Sequence, residues 1–445
     1  MKFKKFGKAL LISALSTGVI LGVTSCVESY TVGYLYVLGT ATSQSNGNGI
    51  ISGFKIDHNT GQLTPINVLP VGSGGANPIR ALLLNSSRFL YVLNRGVNAS
   101  GNSNCFGTVA PNVCTGANIT QFSVGANGIL TAQETFFTQG FNPERIISDS
   151  TGAYVYVLDH DAPSNAACAS ALGSGVTSCA DITAFQVNGN TGRLQLIVNA
   201  QVTSASGAAL PYFPVPANPI DFTLTAGNVL TLNGTPTTGD SVFPYSFNQL
   251  NGQLTVTLNG SDSIGSVFQA TAIVTTGSNV FVLDNEAPAS NPDGAFSQIL
   301  PFTVSGSTLV AETSGPIADV PAPLSNPIAA IVGQPGSKWL YVANQGNNAQ
   351  DTPQSGIAGY TINNPFQPSP LPGSPFGTGG GPQCLVEDPS NQFYYTANFN
   401  DSTVTGQQVN QQSGGLRPLS DATKAANSYP LTGPPTWCLV DGRTN

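Results

Sequence analysis

The hydrophobic pattern of Asn326–Gly346 recurs along the chain and defines its basic unit. A short apolar run, Ile328–Val332, is followed by a Pro335-Gly336 turn and a second apolar run, Trp339–Ala343, which ends in Asn344. Proline and glycine supply the backbone dihedrals that a tight turn requires, so the two runs predict a β-hairpin. The first run has no polar alternation, which predicts a strand buried on both faces.

The second run of this unit occurs seven times, at intervals of 51 to 74 residues. Each copy is followed by a hairpin-like segment, most of which share an aromatic residue and an Asn/Gly-rich turn, so each repeat predicts a four-stranded antiparallel sheet. Seven such sheets without a helical period between them predict an all-β fold, a seven-bladed β-propeller. The copies are YVLG at Tyr36, YVLN at Tyr91, YVLD at Tyr156, LTLN at Leu230, FVLD at Phe281, YVAN at Tyr341 and YTAN at Tyr395.

The two ends of the chain predict how the ring closes. Tyr34–Gly39 is a second run without a first run before it, whereas Trp437–Asp441 (WCLVD) resembles the first run Cys384–Asp388 (CLVED). We therefore expect the C-terminal strand to be the innermost strand of blade 1, within a propeller formed by residues 34–445. Such closure removes the exposed edges of an open array.

These motifs resemble those of the YVTN-type, lactonase-like propeller family. The resemblance rests on YVLN, YVLD, YVAN and YTAN, on two D/N-x-N-T-G-x-L turns, and on first strands that begin with Asn-Pro at Asn77, Asn142, Asn218 and Asn326. It covers nearly all of the predicted mature chain. It implies a carboxylic ester hydrolase of the 6-phosphogluconolactonase-like type, or a related isomerase, that uses histidine, arginine and acidic residues near the channel mouth.

The longest connections fall on one side of the predicted propeller. Arg95–Asn118 and His160–Ala180 join second to third strands, and Ala209–Pro219 joins two blades, so all three lie on one face, which we call the long-loop face. The opposite, short-turn face carries the hairpin turns. Because loop elaboration accompanies function, we expect a ligand on the long-loop face.

The candidate site residues follow from aligning the repeats on that face. The first strands place seven residues at matching positions around the channel mouth: Arg80, Arg145, Asp221, Ala270, Ala329, Cys384 and Cys438. The two arginines could hold a carboxylate or phosphate by forked hydrogen bonds. The expected ligand-binding set is Arg80, Arg145, Asp159, Asp221, Asp284 and Asn344, and the catalytic candidates are Arg80, Glu144, Arg145 and His160.

Each of these assignments has a structural alternative. Asp221 and Glu144 could neutralise the two arginines in an ion-pair network. The Asn and Asp residues that end the second strands commonly close turns. His160 could act as a general base beside its acidic neighbours, or it could be a solvated loop histidine. We expect no metal site and no cofactor, since the chain has neither metal-ligand spacing nor a nucleotide-binding fingerprint.

The N-terminus has the pattern of an export signal. Four lysines precede an apolar stretch, Ala9–Gly22, and Val23–Cys26 resembles a bacterial lipobox. The pattern predicts a signal peptide at 1–25, acylation of Cys26 and a tether at 26–33, giving a protein anchored to the cell envelope without a membrane span. The alternative is an ordinary secretory signal with an incidental cysteine.

The remaining six cysteines are an even number, as expected for disulfides in an oxidising compartment. The sequence predicts the pairs Cys105–Cys114, Cys168–Cys179 and Cys384–Cys438, the last bringing its Cα atoms about 5.5–6 Å apart. Removal of residues 1–25 leaves ten basic and 22 acidic residues, a net charge of −12 that argues against nucleic acid as a partner.

Three functions are compatible with these observations. The leading one is recognition of a small molecule or an envelope protein on the long-loop face. The second is lactone hydrolysis or a related isomerisation at the channel mouth. The third is a scaffold within an envelope complex.

Overall fold

The computed structural model confirms the seven-bladed β-propeller. It describes residues 30–40, 48–84, 88–101, 105, 107–204, 206–235, 238–256, 260–265, 267–290, 294–313, 315–319, 324–333, 338–347, 353–362, 368–419 and 428–442. The strands form seven antiparallel sheets. The signal peptide and Cys26 lie outside the described residues.

The strands follow the chain from blade to blade. Blades 1 and 2 contain β1 (Thr31–Thr40), β2 (Asn48–Asp57), β3 (Leu63–Pro65), β4 (Val71–Ala76), β5 (Pro78–Leu83), β6 (Phe89–Asn94), β7 (Asn118–Val124) and β8 (Leu130–Phe136). Blades 3 and 4 contain β9 (Phe141–Ser148), β10 (Tyr154–Asp161), β11 (Cys179–Val187), β12 (Leu194–Leu196), β13 (Phe213–Pro216), β14 (Pro219–Leu224), β15 (Asn228–Asn233), β16 (Ser241–Phe247), β17 (Leu254–Val256) and β18 (Asp262–Ser263).

Blades 5 to 7 continue the series, and the last strand returns to blade 1. They contain β19 (Ala270–Thr276), β20 (Asn279–Asp284), β21 (Gln298–Ser305), β22 (Thr308–Ala311), β23 (Ile317–Ala318), β24 (Pro327–Gly333), β25 (Trp339–Asn344), β26 (Gly356–Thr361), β27 (Ser369–Pro370), β28 (Pro382–Glu387), β29 (Phe393–Asn398), β30 (Thr403–Val409), β31 (Leu416–Pro418) and β32 (Ser428–Pro430). The final strand is β33 (Pro435–Asp441).

Helix is nearly absent from the described residues. A 3₁₀ turn, Asn165–Ala167, leads into one short helix, α1 (Cys168–Leu172), in the loop between β10 and β11. No helix in the described part of the chain is long and apolar enough to cross a bilayer.

The C-terminal strand closes the ring as predicted. β33 pairs antiparallel with β1, giving the blade order β3-β2-β1-β33. β1 begins at Thr31, ahead of the expected start of the propeller at residue 34. Five sheets also differ from the predicted four-stranded form, because a short fifth strand pairs with the N-terminal part of the third strand. These fifth strands are β4, β13, β18, β23 and β32.

The tyrosines of the repeated motif join neighbouring blades. The hydroxyl of Tyr156, for example, donates a hydrogen bond of 3.0 Å to the carbonyl of Gly252 in the next blade. Five blades make this bond: Tyr36 to Gly128, Tyr91 to Gly192, Tyr156 to Gly252, Tyr341 to Gly414 and Tyr395 to Gly61. The YV motif and the glycine turn of the repeat are thus two halves of one contact between blades.

Glycine is required in these turns for two reasons. Gly252 has φ of +71°, a conformation that other residues adopt at a cost. A Cβ atom at Gly252 would also lie 2.5 Å from the ring of Tyr154, which packs directly against the turn. The same pairing of a positive φ with an aromatic neighbour occurs at Gly61, Gly128, Gly192 and Gly414.

The Asn-Pro motifs have a structural role at the start of the inner strands. Asn77, Asn142, Asn218 and Asn326 all have φ between +50° and +58°, which asparagine tolerates better than most residues. Asn77 accepts, through its carbonyl, a hydrogen bond from the N–H of Arg95, the residue after the YVLN motif. In these four blades the motif therefore fixes how the inner strand enters the sheet on the long-loop face.

The structure contains the three predicted disulfides, Cys105–Cys114, Cys168–Cys179 and Cys384–Cys438. The Cα atoms of Cys384 and Cys438 are 5.7 Å apart, within the predicted range. This bond joins the inner strands of blades 7 and 1 and lies in their shared hydrophobic core.

The register corrects the predicted equivalence of these two cysteines. Cys384 pairs with Ala397, and the corresponding residue of blade 1 is Trp437, which pairs with Leu38. Cys438 is one residue further along its strand. Successive strand residues point to opposite sides, so Cys438 can face back toward blade 7, whereas a matched position would have pointed away. The same register makes Ala272, not Ala270, the counterpart of Arg80 in blade 5.

Candidate functional site

A cavity of about 300 Å³ lies in the central channel. Its wall includes residues from the inner strands of all seven blades, because those strands converge on the axis. Three of the expected ligand-binding residues line it, namely Arg80, Arg145 and Asp221. The sequence analysis missed Trp437, which also lines the cavity. Among the described residues, Asp221 is the only carboxylate in this wall.

Arg145 is engaged in an ion pair. Its Nε lies 2.9 Å from Oδ1 of Asp221, and both side chains are mostly buried, with 17% and 14% of their surfaces exposed. Asp221 also accepts hydrogen bonds from the backbone N–H groups of Phe222 (2.9 Å) and Ile273 (3.1 Å). The structure therefore shows Arg145 neutralised by Asp221, which was the structural alternative to ligand binding.

Arg80 differs from Arg145 although it occupies the same position in its blade. Its Nη1 donates to the carbonyl of Ile79 at 2.7 Å, and its guanidinium lies 4.1 Å from the ring centroid of Trp437, a cation–π contact. No carboxylate in the described part of the chain forms an ion pair with it. Burial and the nearby charge of Arg145 lower the pKa of Arg80, and Asp221 and Glu144 oppose that shift.

These contacts give the channel an uncompensated positive charge. Arginine stays protonated in proteins, and the charge of Arg145 is balanced by Asp221. The remaining guanidinium, at Arg80, has unused N–H donors beside a cavity. An anion bound there would offset the desolvation and the repulsion that Arg80 experiences.

Glu144 does not face the arginines of the channel. Its carboxylate pairs with Arg95, whose Nε also donates to the carbonyl of Pro143 at 3.1 Å. Burial lowers the pKa of Arg95, and Glu144 opposes that shift. Arg95 was not among the predicted site residues, although its position directly after the YVLN motif of blade 2 could have suggested that it neighbours blade 3.

His160 lies near the end of β10 and outside the cavity wall. Its Nδ1 is 2.9 Å from Oδ2 of Asp161, and this hydrogen bond raises the pKa of His160. The same oxygen accepts from the N–H of Gly107 (2.9 Å) and from Nδ2 of Asn142 (2.7 Å). Burial favours protonation of Asp161, but the hydrogen bonds from His160 and Asn142 outweigh it and lower its pKa. The arrangement attaches the Cys105–Cys114 loop to blade 3.

The Asn and Asp residues that end the second strands are inside the blades. Asp159, Asp284 and Asn344 are each 0% exposed, so they do not form a polar rim. Oδ2 of Asp284, for example, accepts from Nε2 of Gln298 at 2.7 Å. The sequence pattern did not show that these positions are buried.

Asp159 has a partner that the sequence analysis missed. It lies opposite Asp181 in the β10–β11 register, and both carboxyl groups are buried near Thr183. Burial raises the pKa of both carboxyl groups, and the nearby charge of Asp159 raises the pKa of Asp181 further. Each carboxyl also has one buried oxygen without a hydrogen bond. Such a pair is stable only when it retains a proton.

No protein-family model and no curated protein sequence matches the chain. Solved structures do match. A protein provisionally assigned as a 6-phosphogluconolactonase from Bacteroides fragilis has 14% sequence identity and a TM-score of 0.62, with 92% of this chain and 98% of that chain covered. A similarly assigned protein from Bacteroides uniformis has 13% identity and a TM-score of 0.63, covering 92% and 99%.

The periplasmic gluconolactonase of Pseudomonas aeruginosa is a third match, with 14% identity, a TM-score of 0.62 and coverage of 92% and 99%. The chain shares the fold of these propellers. At this level of identity the likeness concerns the fold alone, and function must be argued from the site.

Proposed function

We propose that this protein is an extracytoplasmic, lactonase-like propeller that binds a small anionic ligand in its central channel. The carboxylate or phosphate of the ligand contacts the guanidinium of Arg80, with Trp437 and the Arg145–Asp221 pair forming the neighbouring wall. The observation that supports this most directly is the contrast between the two arginines. Arg145 has a carboxylate partner, whereas Arg80 faces a cavity of about 300 Å³ without one.

Lactone hydrolysis is the second candidate, and the likeness to a periplasmic gluconolactonase favours it. Hydrolysis requires a base to activate water. Asp221 lines the cavity but accepts three hydrogen bonds, and the carboxylate of Glu144 is paired with Arg95. Among the described residues no unengaged carboxylate or histidine lines the cavity, so the geometry favours binding over turnover.

Export and anchoring complete the proposal. The three disulfides suit an oxidising compartment, and the lipobox-like sequence before Cys26 supports attachment to the envelope by a lipid. The membrane is then a partner through the anchor only. A role as an envelope scaffold would use the same long-loop face without requiring the charge of Arg80.

Fluorescence provides a direct test, because Trp437 is one of two tryptophans and contacts Arg80. Titration with gluconate and with inorganic phosphate should change the emission saturably. Arg80→Met should weaken binding by about 10- to 100-fold, the effect of losing a charged hydrogen-bond donor. Arg193→Met is the matched control, since Arg193 is an exposed arginine outside the channel.

Three results would count against the proposal. Absence of saturation with both anions, or equal affinity in Arg80→Met, would contradict anion binding at this site. Hydrolysis of δ-gluconolactone above the buffer rate that is lost in Arg80→Met or Glu144→Gln would instead favour the enzyme.

A further inference from the structure

A second cavity, of about 430 Å³, opens on the short-turn face. It lies where the inner strands β9, β14 and β19 end and their hairpin turns begin. Ile147, Thr223 and Thr275 belong to the walls of both cavities, so the second cavity adjoins the channel at the end opposite Arg80. The hydroxyls of Thr223 and Thr275 are 2.9 Å apart at this junction.

The wall of this cavity carries no charged side chain among the described residues. Asp149 lies next to it in sequence, but its carboxylate is occupied within the turn. One oxygen accepts from the N–H of Tyr154 at 2.7 Å, and the other accepts from the N–H and hydroxyl of Thr151. A charged ligand would be desolvated here without a counter-charge, which is costly.

The polar groups of the wall are neutral, and several are unused. The hydroxyls of Ser148 and Ser150 have no hydrogen-bond partner in the part of the chain that the structure describes. Nε2 of Gln249 donates to the carbonyl of Ala226, which leaves Oε1 of Gln249 as an acceptor. Hydroxyls both donate and accept, so this wall can pair with a ligand rich in hydroxyl groups.

One aromatic ring provides a rigid apolar surface beside these groups. Phe247 lines the cavity and makes edge-to-face contacts with Tyr154 and Tyr156, at centroid distances of 6.4 and 5.9 Å. Such contacts restrict its orientation. A fixed ring among hydroxyl and amide groups offers an apolar surface for C–H groups and hydrogen bonds for O–H groups.

We propose that the short-turn-face cavity is a binding site for an uncharged saccharide. A volume of about 430 Å³ lies within the range of small-molecule sites. Hydroxyls of the sugar pair with Ser148, Ser150 and Gln249, and one face of the sugar packs on Phe247. This site is separate from the proposed anion site, since it requires no charge and lies on the opposite face.

Calorimetric titration of the full chain with glucose and with cellobiose tests the proposal. We expect saturable millimolar binding of at least one of them. Ser150→Trp, which places a large side chain at the cavity edge, should weaken that binding at least tenfold. Asn190→Trp, an exposed change on the same face outside the cavity wall, should leave it unchanged.

Two further comparisons separate this site from the channel. Arg80→Met should bind the neutral sugar as the wild type does, and Ser150→Trp should still bind the anionic probes. The proposal is overturned if neither sugar saturates, if Ser150→Trp binds as well as Asn190→Trp, or if Arg80→Met abolishes sugar binding.

Discussion

Removal of the Cys384–Cys438 disulfide should weaken both the ring closure and the channel site. β33 is the only described strand that joins the chain's end to blade 1, and it supplies Trp437 to the cavity as well as Cys438 to the bond. The appropriate perturbation is the double variant Cys384→Ala/Cys438→Ala, which leaves no unpaired thiol in the core.

The expected magnitude follows from the length of the loop that the bond closes. The two cysteines are 54 residues apart. In the chain-entropy model a loop of this length contributes about 4 kcal/mol to the free energy of unfolding. With an unfolding entropy of about 2.1 cal/mol/K per residue over this chain, the melting temperature should fall by about 5 °C.

Calorimetry of the purified protein measures this change, and limited proteolysis measures where it acts. We expect new cleavage near the C-terminus and a weaker Trp437 fluorescence response to anions. Cys168→Ala/Cys179→Ala is the matched control, because it removes an 11-residue closure within a single loop. It should lower stability by about 3 kcal/mol in the same model without exposing the C-terminal strand.

The double variant could instead have the melting temperature of the wild type and keep a protease-resistant C-terminus. That result would refute the idea that this disulfide holds the closing strand in place. Equal C-terminal cleavage in both double variants would also refute it, because the effect would then be general to disulfide loss and not specific to the closing strand.

Three further changes have defined outcomes. Burial raises the pKa of Asp181 above its value in the unfolded chain, so the native state retains a proton and stability should fall as pH rises above the normal aspartate range. Asp181→Asn should reduce this fall in melting temperature between pH 4 and about 8. Wild-type and variant melting temperatures that change in parallel with pH would contradict the prediction. Tyr156→Phe leaves a buried carbonyl of blade 4 unpaired and should lower the free energy of unfolding in urea by roughly 1–3 kcal/mol. Tyr154→Phe should lower it less, because the hydroxyl of Tyr154 makes no hydrogen bond within the described residues. Equal losses in the two variants would reject the role of the bond between blades. Cys26→Ser should move the protein from the membrane fraction to the soluble fraction, and an unchanged distribution would reject the lipid anchor.

The fold could be predicted because its signals are local and repeated. Each hairpin combines an apolar run, a turn and a second run within about 20 residues, and the copies support one another. Ring closure was predictable for the same reason, since Trp437–Asp441 resembles an inner strand that blade 1 otherwise lacks. The short fifth strands were missed because they lie in connections between blades, where no repeated motif marks them.

Contacts between blades were less accessible to sequence reasoning. Tyr156 and Gly252 are 96 residues apart, and each has a sufficient local explanation as a strand residue and a turn residue. The register of the closing strand was also misread. The sequence comparison matched the CLV of Cys384 to the CLV of Cys438, whereas the strand pairing makes Trp437 the counterpart of Cys384. The cysteine pair was still correct, because it depended on which strands are neighbours.

The chemistry of the channel depends on a distinction that the sequence does not contain. Arg80 and Arg145 follow an Asn-Pro pair by the same number of residues and align in the repeat. They differ because blade 4 follows blade 3 with an aspartate at the equivalent position, and that carboxylate reaches Arg145. Arg80 instead has Arg145 at the equivalent position of the next blade, and the closing strand on its other side contributes the ring of Trp437. The free positive charge therefore results from the order of blades around the ring, and it lies where the ring is closed. A ligand bound by Arg80 should thus be sensitive to closure, whereas a ligand of the short-turn face should not.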